Sequence, residues 1–231
     1  MPLNYLIVGA TGGIGSSLTK LLAKDGHRSC LLGRNPAKLE QLINTVHSEY
    51  PDAELKSIAF NLMGAQPQDY ETLEQRLSDT WGHLDGLLWC AGSLGQQAPI
   101  GHLHPFQWWQ NIQTNVFAPV FLTQLCLPLL EKSPCGGTIL FPQPKAAFYQ
   151  HAYRGAYGMS QGALTAFLQI LSEELAGIQV RLLTCELPKV ASGLIRAAYP
   201  GNQHAAEISA ETAANQCYAL LNETVAKEHV S

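Results

Sequence analysis

The stretch NYLIVGATGGIG, residues 4–15, joins a short apolar run to a glycine-rich turn, and leucines then recur at helical spacing from Leu18. An apolar run of this length predicts a buried strand, and the leucine spacing predicts a helix with one apolar face. Gly9, Gly13 and Gly15 permit a tight turn, close approach of the backbone to a pyrophosphate, and packing of the helix against the sheet. The unpaired N–H groups at the start of the helix suit the same anion. This strand, turn and helix therefore predict a dinucleotide-binding unit.

Apolar runs alternate with segments of helical period along the rest of the chain. Further runs of strand length are RSCLLGR, LKSIAFNL, LDGLLWCAG, GGTILFP and IQVRLLTCEL. The segments with an apolar stripe between them are residues 36–49, 70–81, 106–132 and 157–176. Such alternation is typical of βαβ units in a parallel sheet. We predict an α/β fold, a single Rossmann-type domain over residues 1–231 with a doubly wound sheet of about six strands, no seventh strand at the C-terminus, and a ligand at the carboxyl ends of the strands.

The composition excludes several classes of partner. The chain has 231 residues, a formal net charge of -4 and 46% hydrophobic residues, so it can bury a large core. It carries no run of lysine and arginine, and we predict neither nucleic acid nor an anionic membrane surface as a partner. The most apolar stretch, residues 117–130, is interrupted by Pro119 and Pro128, which favours a buried helix over a membrane span.

The cysteine pattern bears on the compartment. The 6 cysteines never fall in a Cys-x-x-Cys spacing, and most of them lie in apolar runs. This pattern favours reduced thiols packed as small apolar side chains in a cytoplasmic protein. The N-terminus lacks the basic segment of a signal peptide, which agrees with that location. His102 and His104 have no third clustered ligand, so we predict no metal site.

The residues that follow the second predicted strand bear on the choice of dinucleotide. A site that selects NAD carries an acidic residue there for the adenosine ribose, whereas this chain has Gly33 and Arg34. Gly33 leaves room, and the planar guanidinium of Arg34 suits a 2′-phosphate. We therefore predict NADP(H) rather than NAD(H). The alternative is that Arg34 is a solvated loop charge.

Several motifs occur in a fixed order along the chain. The glycine turn is followed by CAG at residues 90–92, by NIQTNVFAPVFLTQLCLPLL from Asn111, and by GAYGMSQGAL at residues 155–164. In this order the motifs resemble the short-chain dehydrogenase/reductase family, over residues 4–190 of the chain. The resemblance implies the doubly wound fold and an oxidoreductase that uses a nicotinamide dinucleotide.

The resemblance also assigns one group of residues to the cofactor. Ala91 and Gly92 match the end of the family's Asn-Asn-Ala-Gly segment, although Trp89 and Cys90 replace the two asparagines. The other assigned positions are Gly9, Thr11, Gly13, Ile14 and Gly15 at the pyrophosphate, Arg34 at the 2′-phosphate, and Asn61 and Leu62 beside the adenine, where the family more often has Asp-Val.

In the reaction centre, the chain keeps some of the family's residues and replaces others. Tyr157 matches the catalytic tyrosine, and Asn115 matches the helix asparagine that holds a proton-relay water. The family's lysine, which lowers the pKa of the tyrosine and holds the nicotinamide ribose, is Gln161 here. Pro144 occupies the position of the family's serine, which polarises the substrate carbonyl. Lys189 replaces the glycine of a Pro-Gly segment that shapes the nicotinamide pocket. Gln161 can still hydrogen-bond the ribose, but it supplies no charge.

Nearby side chains offer substitutes for the missing groups. Lys145, next to Pro144, is the candidate to return a positive charge to the reaction centre. Other polar residues of the segment are predicted at the pocket mouth or the surface: Tyr149, His151, Tyr153 and Arg154. Residues 187–206 are predicted to form the substrate pocket, with an apolar lining from Leu194, Ile195, Ala197, Ala198 and Tyr199.

Two functions remain open at this point. The first is an NADP(H)-dependent oxidoreductase of weak or atypical activity, which reduces a small carbonyl or another polarised double bond with Tyr157 as proton donor. The second is a non-catalytic member that binds the dinucleotide as a sensor or as the supporting subunit of an assembly. The helices predicted at 106–132 and 157–176 are apolar on more than one face, and the resembling family pairs them across a two-fold axis. We therefore also predict a homodimer.

Overall fold

A parallel sheet forms the centre of the molecule. The computed structural model describes the backbone of residues 1–228 and the side chains of residues 1–223, and residues 229–231, which belong to the predicted domain, lie outside the described part. The 6-stranded sheet has the order β3-β2-β1-β4-β5-β6, in which the direction of winding reverses between β1 and β4. This order confirms the predicted doubly wound fold, and residues 1–228 contain no seventh strand. The strands are β1 (Asn4–Val8), β2 (Arg28–Gly33), β3 (Leu55–Ala59), β4 (Gly86–Trp89), β5 (Gly137–Pro144) and β6 (Val180–Leu187).

Helices cover both faces of this sheet. Side chains of β1 alternate between two apolar layers: Leu6 and Val8 pack into the first layer, and Tyr5 and Ile7 into the second. All of β1 is buried, as a strand with helices on both sides must be. The helices are α1 (Gly13–Lys24), α2 (Pro36–Glu49), α3 (Pro67–Trp81), α4 (Pro105–Ile112), α5 (Ala118–Glu131), α6 (Ala146–Tyr149), α7 (Gly155–Glu174), α8 (Gly193–Ala198) and α9 (Ala210–Glu228), with a 3-10 turn at Ile100–His102. Helices α3, α5 and α7 contribute to the first layer, and α1, α2 and α9 to the second.

The fifth strand continues beyond its predicted end. It includes Pro142 and Pro144, although proline cannot donate a hydrogen bond to a neighbouring strand. The N–H of Lys145 donates to the carbonyl of Leu187 in β6 at 3.3 Å, so the two prolines, which alternate with the residues that face β6, face the opposite side. On that side the register between β4 and β5 ends at Leu140. The prolines are tolerated because no strand remains there to accept from them.

The C-terminal segment forms α9, where the sequence predicted only the lack of a strand. Ala213, Ala214 and Cys217 are fully buried in the second apolar layer. At the start of α9, the Cβ of Ala210 lies 2.8 Å from the position that a Cβ on Gly13 would take. Helix α9 therefore packs closely behind the glycine turn and helps to fix it.

One long helical run contains both α4 and α5. Residues Gln113–Phe117 form a π-helical turn that joins α4 to α5, and the whole run spans Pro105–Glu131. By length and composition alone this run of 27 residues is apolar enough to cross a membrane, a test that the core helix of a soluble protein also passes. Leu122 and Leu130 of α5 are buried in the first apolar layer. The π turn itself buries Asn115.

Candidate active site

The carboxyl ends of the strands border a cavity of about 980 Å³. Gly12, Gly13 and Arg34 line one end, which we call the cofactor end, and Tyr157 and Gln161 line the other, which we call the reaction end. A cavity of this volume is in the range of cofactor and small-molecule sites. It lies where a doubly wound sheet is expected to bind its ligand.

Two glycines of the first turn are required by the packing of the protein itself. Gly9 has φ +80°, and a Cβ at this position would lie 2.7 Å from the backbone nitrogen of Ala91. A Cβ on Gly15 would lie 2.5 Å from the carbonyl oxygen of Gly9. Neither position admits a side chain, so these glycines set the shape of the turn.

The start of α1 is open to the cavity. Its N-cap residue is Gly12, which has no side chain to satisfy the first N–H groups of the helix, and Gly13 and Ile14 line the cavity directly. Unpaired N–H groups at a helix N-terminus bind phosphate groups well. Thr11 is half-buried, with its methyl group 3.6 Å from the Cβ position of Gly33. The turn therefore fits the pyrophosphate of a dinucleotide.

The residues predicted at the adenosine lie in two separate places. Arg34 is exposed at the cofactor end, between β2 and the N-cap residue of α2, and it forms no ion pair with the side chains of residues 1–223. Asn61 lines a different cavity, of about 290 Å³, and Leu62 packs against the first apolar layer. The structure thus brings Arg34, but not Asn61 or Leu62, to the main cavity.

Asn115 anchors the loop that follows β4. Its Nδ2, whose two hydrogens are shared among three acceptors, lies 2.7 Å from the carbonyl oxygen of Ser93, 2.8 Å from Oδ1 of Asn111 and 3.1 Å from Oγ of Ser160. Its Oδ1 accepts from the N–H of Ser93 at 2.8 Å. The side chain of Asn115 is therefore fully used in holding this loop. The residues that the anchored loop presents to the cavity include Ala91 and Gly92.

Tyr157 lies in the first turn of α7 and is only 4% exposed. Its ring packs with Leu94 and Ile195 and meets the ring of Phe148 edge-on, with a centroid distance of 5.9 Å. Burial raises the pKa of Tyr157 well above its ordinary value, and the charge of Arg154 partly opposes that rise. The hydroxyl is thus protonated at neutral pH and stands in the wall of the reaction end.

Arg154 corrects the prediction that this segment lies at the pocket mouth or the surface. It is only 4% exposed, with its guanidinium carbon 4.0 Å from the centroid of the Phe148 ring. The prediction fits His151 and Tyr153, which are exposed. The sequence signal for Arg154 was its place three residues before Tyr157, but its burial depends on aromatic rings that the fold supplies.

The replaced positions of the reaction centre present neutral groups. Gln161 is buried, and its side-chain amide has no hydrogen-bond partner within residues 1–228. Pro144 lines the cavity at the end of β5, next to Gln143, whose Nε2 donates to the Pro142 carbonyl at 3.3 Å. Lys145 lines the same wall but is exposed to solvent. The free amide of Gln161 is therefore the group available to hydrogen-bond a bound ribose.

Lys189 lines the cavity, and its side chain is held by an ion pair. Its Nζ lies 3.2 Å from Oε1 of Glu207 and 5.7 Å from the ring centroid of Tyr199. The N–H of Glu207 also donates to the Lys189 carbonyl at 2.7 Å. Sequence reasoning did not identify Glu207. Cavity-lining residues from the predicted substrate segment include Leu194, Ile195, Ala197 and Tyr199, whereas Ala198 is buried behind them.

The cysteines are unpaired, and His104 caps a helix. All of the cysteines are free thiols, and burial raises the pKa of Cys90, which lines the cavity, to about 12. His104 is the N-cap residue of α4, and its Nδ1 accepts from the N–H of Phe106 at 3.2 Å. Residues 1–228 hold no group of at least 3 His, Cys, Asp or Glu side chains arranged for a metal ion.

Known proteins are similar to this chain in sequence and in fold. The sequence profile described as short chain dehydrogenase matches residues 4–203. The uncharacterized oxidoreductase YciK of Escherichia coli K12 is 33% identical over 169 residues, which cover 73% of this chain and 66% of that protein. The benzil reductase ((S)-benzoin forming) IRC24 of Saccharomyces cerevisiae is 29% identical, over 80% of this chain and 70% of that protein. A structure from Shigella flexneri 2a complexed with NADP matches with a TM-score of 0.84 and 28% identity, over 90% of this chain and 86% of that one.

These similarities agree with the geometry of the site. The profile match spans both the glycine turn after β1 and the helix that carries Tyr157. The strand order and the position of the cavity are those of a doubly wound dinucleotide-binding sheet. The chain therefore belongs to the short-chain dehydrogenase family.

Proposed function

We propose that this protein is an NADPH-dependent oxidoreductase that reduces a small, largely apolar carbonyl compound. One observation carries the proposal: the glycine turn, Arg34 and Tyr157 line a single continuous cavity. A dinucleotide held at the cofactor end therefore reaches the tyrosine at the reaction end. Family membership and the oxidoreductase relative YciK support the same reaction class.

The chain's own groups match the parts of the cofactor. The N–H groups at the start of α1 bind the pyrophosphate, and Arg34 forms a bidentate contact with the 2′-phosphate. The amide of Gln161 hydrogen-bonds the nicotinamide ribose. The Shigella flexneri neighbour complexed with NADP supports NADP(H) over NAD(H). Bound NADPH supplies the hydride for the carbonyl carbon.

Tyr157 completes the reduction by donating its proton to the carbonyl oxygen. Each turnover then consumes one proton from solvent, which restores the tyrosine, and releases an alcohol and NADP⁺. Burial keeps Tyr157 protonated, which suits a proton donor but makes it a weak acid. Neither Pro144 nor Gln161 offers a charge to assist, so slow turnover is expected.

The lining of the reaction end indicates the substrate class. Leu94, Phe148, Leu194 and Tyr199 present apolar and aromatic surface around Tyr157. Such a lining favours an aryl ketone or diketone over a sugar or a charged acid. The similarity to a yeast benzil reductase supports this choice.

A specific observation also favours the second candidate, a non-catalytic dinucleotide-binding protein. The reaction end lacks a hydroxyl donor at Pro144 and a cation at Gln161, whereas the cofactor end is intact. Loss of both groups removes on the order of three or more powers of ten in rate by ordinary magnitudes. A sensor needs only the cofactor end.

One experiment separates the two candidates. NADPH binding is measured by quenching of tryptophan fluorescence, and NADPH oxidation is then followed with benzil and a panel of small ketones. The proposal expects binding together with turnover that Tyr157→Phe abolishes. Binding without turnover on any carbonyl supports the sensor, and turnover that survives Tyr157→Phe removes the assumed mechanism.

We further propose a homodimer that forms through the outer surfaces of α4 and α7. Large apolar side chains are exposed there, with Trp109 68% and Ile170 56% exposed. Exposed apolar patches of this kind mark interaction surfaces. Light scattering at micromolar concentration is expected to give twice the chain mass, and Ile170→Glu to give a monomer. A wild-type monomer contradicts the proposal.

A cytoplasmic location is proposed from the free thiols. Buried and half-buried cysteines remain unpaired throughout the described residues, as is typical of a reducing compartment. Cell fractionation of the tagged protein tests this location.

A further inference from the structure

Arg154 is a buried cation in the wall behind the reaction end. Its guanidinium carbon lies 4.0 Å from the ring centroid of Phe148 and 5.1 Å from that of Tyr199, and Nη1 donates to the carbonyl of Phe148. Among the described side chains, those of residues 1–223, it forms no ion pair with a carboxylate. Arginine keeps its charge at every pH at which proteins are stable. The structure thus contains a fixed, buried positive charge without a counterion.

Such a charge is unfavourable for folding unless its surroundings compensate. Burial of an unpaired ion is strongly unfavourable, and the two aromatic faces and one carbonyl offset only part of that penalty. A long neutral side chain would fill the same space without the penalty. The position is therefore better explained by a function of the charge than by packing.

Tyr157 is the ionisable group of the reaction end that follows Arg154 in the chain. Arg154 is the residue directly before α7, and Tyr157 lies in the first turn of that helix, three residues later. The ring of Phe148 contacts both side chains, since its centroid lies 5.9 Å from that of Tyr157. Tyr157 also lies at the N-terminal end of α7, where the positive end of the helix dipole likewise favours a negative charge.

We infer that Arg154 is the positioning residue that stabilises the negative charge on Tyr157 as the tyrosine gives up its proton. This inference rests on the proposed function, in which Tyr157 is the proton donor. Arg154 is not among the residues that line the cavity, and it acts through the tyrosine. The cation thus comes from the loop before α7, where the sequence analysis had looked to Lys145.

The other ionisable groups around Tyr157 do not replace Arg154. Tyr149 raises the pKa of Tyr157, whereas Arg154 lowers it against the larger effect of burial. Lys189 is ion-paired with Glu207, and Lys145 is exposed to solvent, which screens its charge. The ionisable residues that line the cavity are Arg34, Cys90, Lys145, His151, Tyr157, Lys189, Tyr199 and Glu207.

The test measures the ionisation of residue 157 directly. A fluorinated tyrosine whose phenol ionises near neutral pH is placed at position 157 by amber suppression, and its absorbance is titrated. The titration is repeated with Arg154→Met, Arg154→Gln and Arg154→Lys in the NADP⁺-bound protein. Arg154→Met and Arg154→Gln are expected to raise the midpoint by ~1 pH unit, and Arg154→Lys to keep it near the parent value.

Arg154→Gln is the decisive variant, because its amide still donates to the Phe148 carbonyl while the charge is lost. It keeps the test valid even where Arg154→Met does not fold, as thermal melting and NADPH binding will show. An unchanged midpoint in Arg154→Gln overturns the inference. So does a rise in Arg154→Lys as large as that in Arg154→Gln, since the effect is then one of shape.

This titration needs no turnover, so its outcome is separate from that of the proposed function. If the wild type reduces benzil, Arg154→Gln is expected to lower kcat about tenfold at neutral pH and to leave the KM for NADPH unchanged. A wild type that binds NADPH but reduces nothing refutes the function, while the midpoint shift still reports on Arg154.

Discussion

The fold constrains the residues at the cofactor end of the cavity more strongly than those at the reaction end. At the cofactor end, Gly9 and Gly15 are packed against backbone atoms of the protein itself, so they are required for folding whether or not a cofactor binds. At the reaction end, Gln161 and Pro144 face the cavity, and nothing in the fold requires their chemistry. An intact glycine turn is therefore evidence of the fold, whereas the activity has to be argued from the reaction end.

The largest expected effect tests this view of the cofactor end. Gly9→Ala is expected to lower the free energy of unfolding by more than ~3 kcal/mol, because the new Cβ would lie 2.7 Å from the backbone nitrogen of Ala91. Gly26→Ala is the matched control, since Gly26 also has a positive φ, +74°, but no atom within 4 Å of a Cβ. Backbone strain alone costs it about 1 kcal/mol.

Urea denaturation of both variants, with and without NADPH, measures this difference. Equal stabilities of Gly9→Ala and Gly26→Ala would show that the contact with Ala91 is not restrictive. In that case the glycine is explained by cofactor binding rather than by the fold.

The next effect concerns the reaction end. Tyr157→Phe is expected to lower kcat by about 100- to 10,000-fold through loss of the proton donor, with NADPH affinity unchanged. Tyr153→Phe, which alters an exposed tyrosine four residues earlier, is the control and is expected to behave as wild type. In the proposed mechanism reduction requires protonated Tyr157. Because burial raises the pKa of Tyr157, the wild-type rate is expected to hold through neutral pH and to fall only in strongly alkaline buffer.

The pH dependence of kcat checks the sign of this argument. A rate that falls between about pH 6 and pH 8 would mean that a group other than Tyr157 supplies the proton. Loss of NADPH binding in Tyr157→Phe would mean that the tyrosine mainly holds the cofactor.

Sequence patterns were sufficient for most of the fold, and they placed Gly13, Ile14 and Arg34, but not Asn61 or Leu62, at the main cavity. Local periodicity and the glycine turn depend on neighbours along the chain, so β1, α1 and the parallel order were predictable. The burial of Arg154 depends on Tyr199, and the ion pair of Lys189 depends on Glu207, and both partners come from the segment after β6. Such contacts between distant segments leave no local pattern, which is why the electrostatics of the reaction end were not predicted.

A gain-of-function change sharpens the comparison further. Gln161→Lys with Pro144→Ser is expected to raise kcat for a small diketone by about ten- to thousandfold. The lysine restores a cation beside Tyr157, and the serine restores a hydroxyl that donates a hydrogen bond to the substrate carbonyl. The backbone permits Pro144→Ser, because the new N–H faces the side of β5 that β4 has already left. The effects are expected to be more than additive, since both act through Tyr157.

Single, double and Arg154→Gln background variants separate the contributions. The gain in kcat from Gln161→Lys is expected to be larger in the Arg154→Gln background. There the new lysine supplies to Tyr157 a positive charge that residue 154 no longer supplies. Adding Lys189→Gly is expected to bring no further gain, since Lys189 is already held by Glu207. Inactivity of every variant with NADPH binding intact supports the sensor.

The smallest expected effect returns to the cofactor end and concerns selectivity rather than activity. Arg34 is exposed and has no ion pair with the side chains of residues 1–223, so it is available for a bidentate contact with a 2′-phosphate. A charge-assisted contact of this kind is worth ~1.5 to 3 kcal/mol, which corresponds to a preference for NADPH over NADH of roughly ten- to a hundredfold. Arg34→Glu is expected to reverse the order, because the carboxylate repels the phosphate and accepts from the ribose hydroxyls of NADH. Lys24→Glu, the same charge change at the far end of α1, is the control and is expected to leave the ratio unchanged. Equal affinities of the wild type for NADPH and NADH would show that Arg34 is only a solvated loop charge, and cofactor choice would then have to be sought in other residues of the cofactor end.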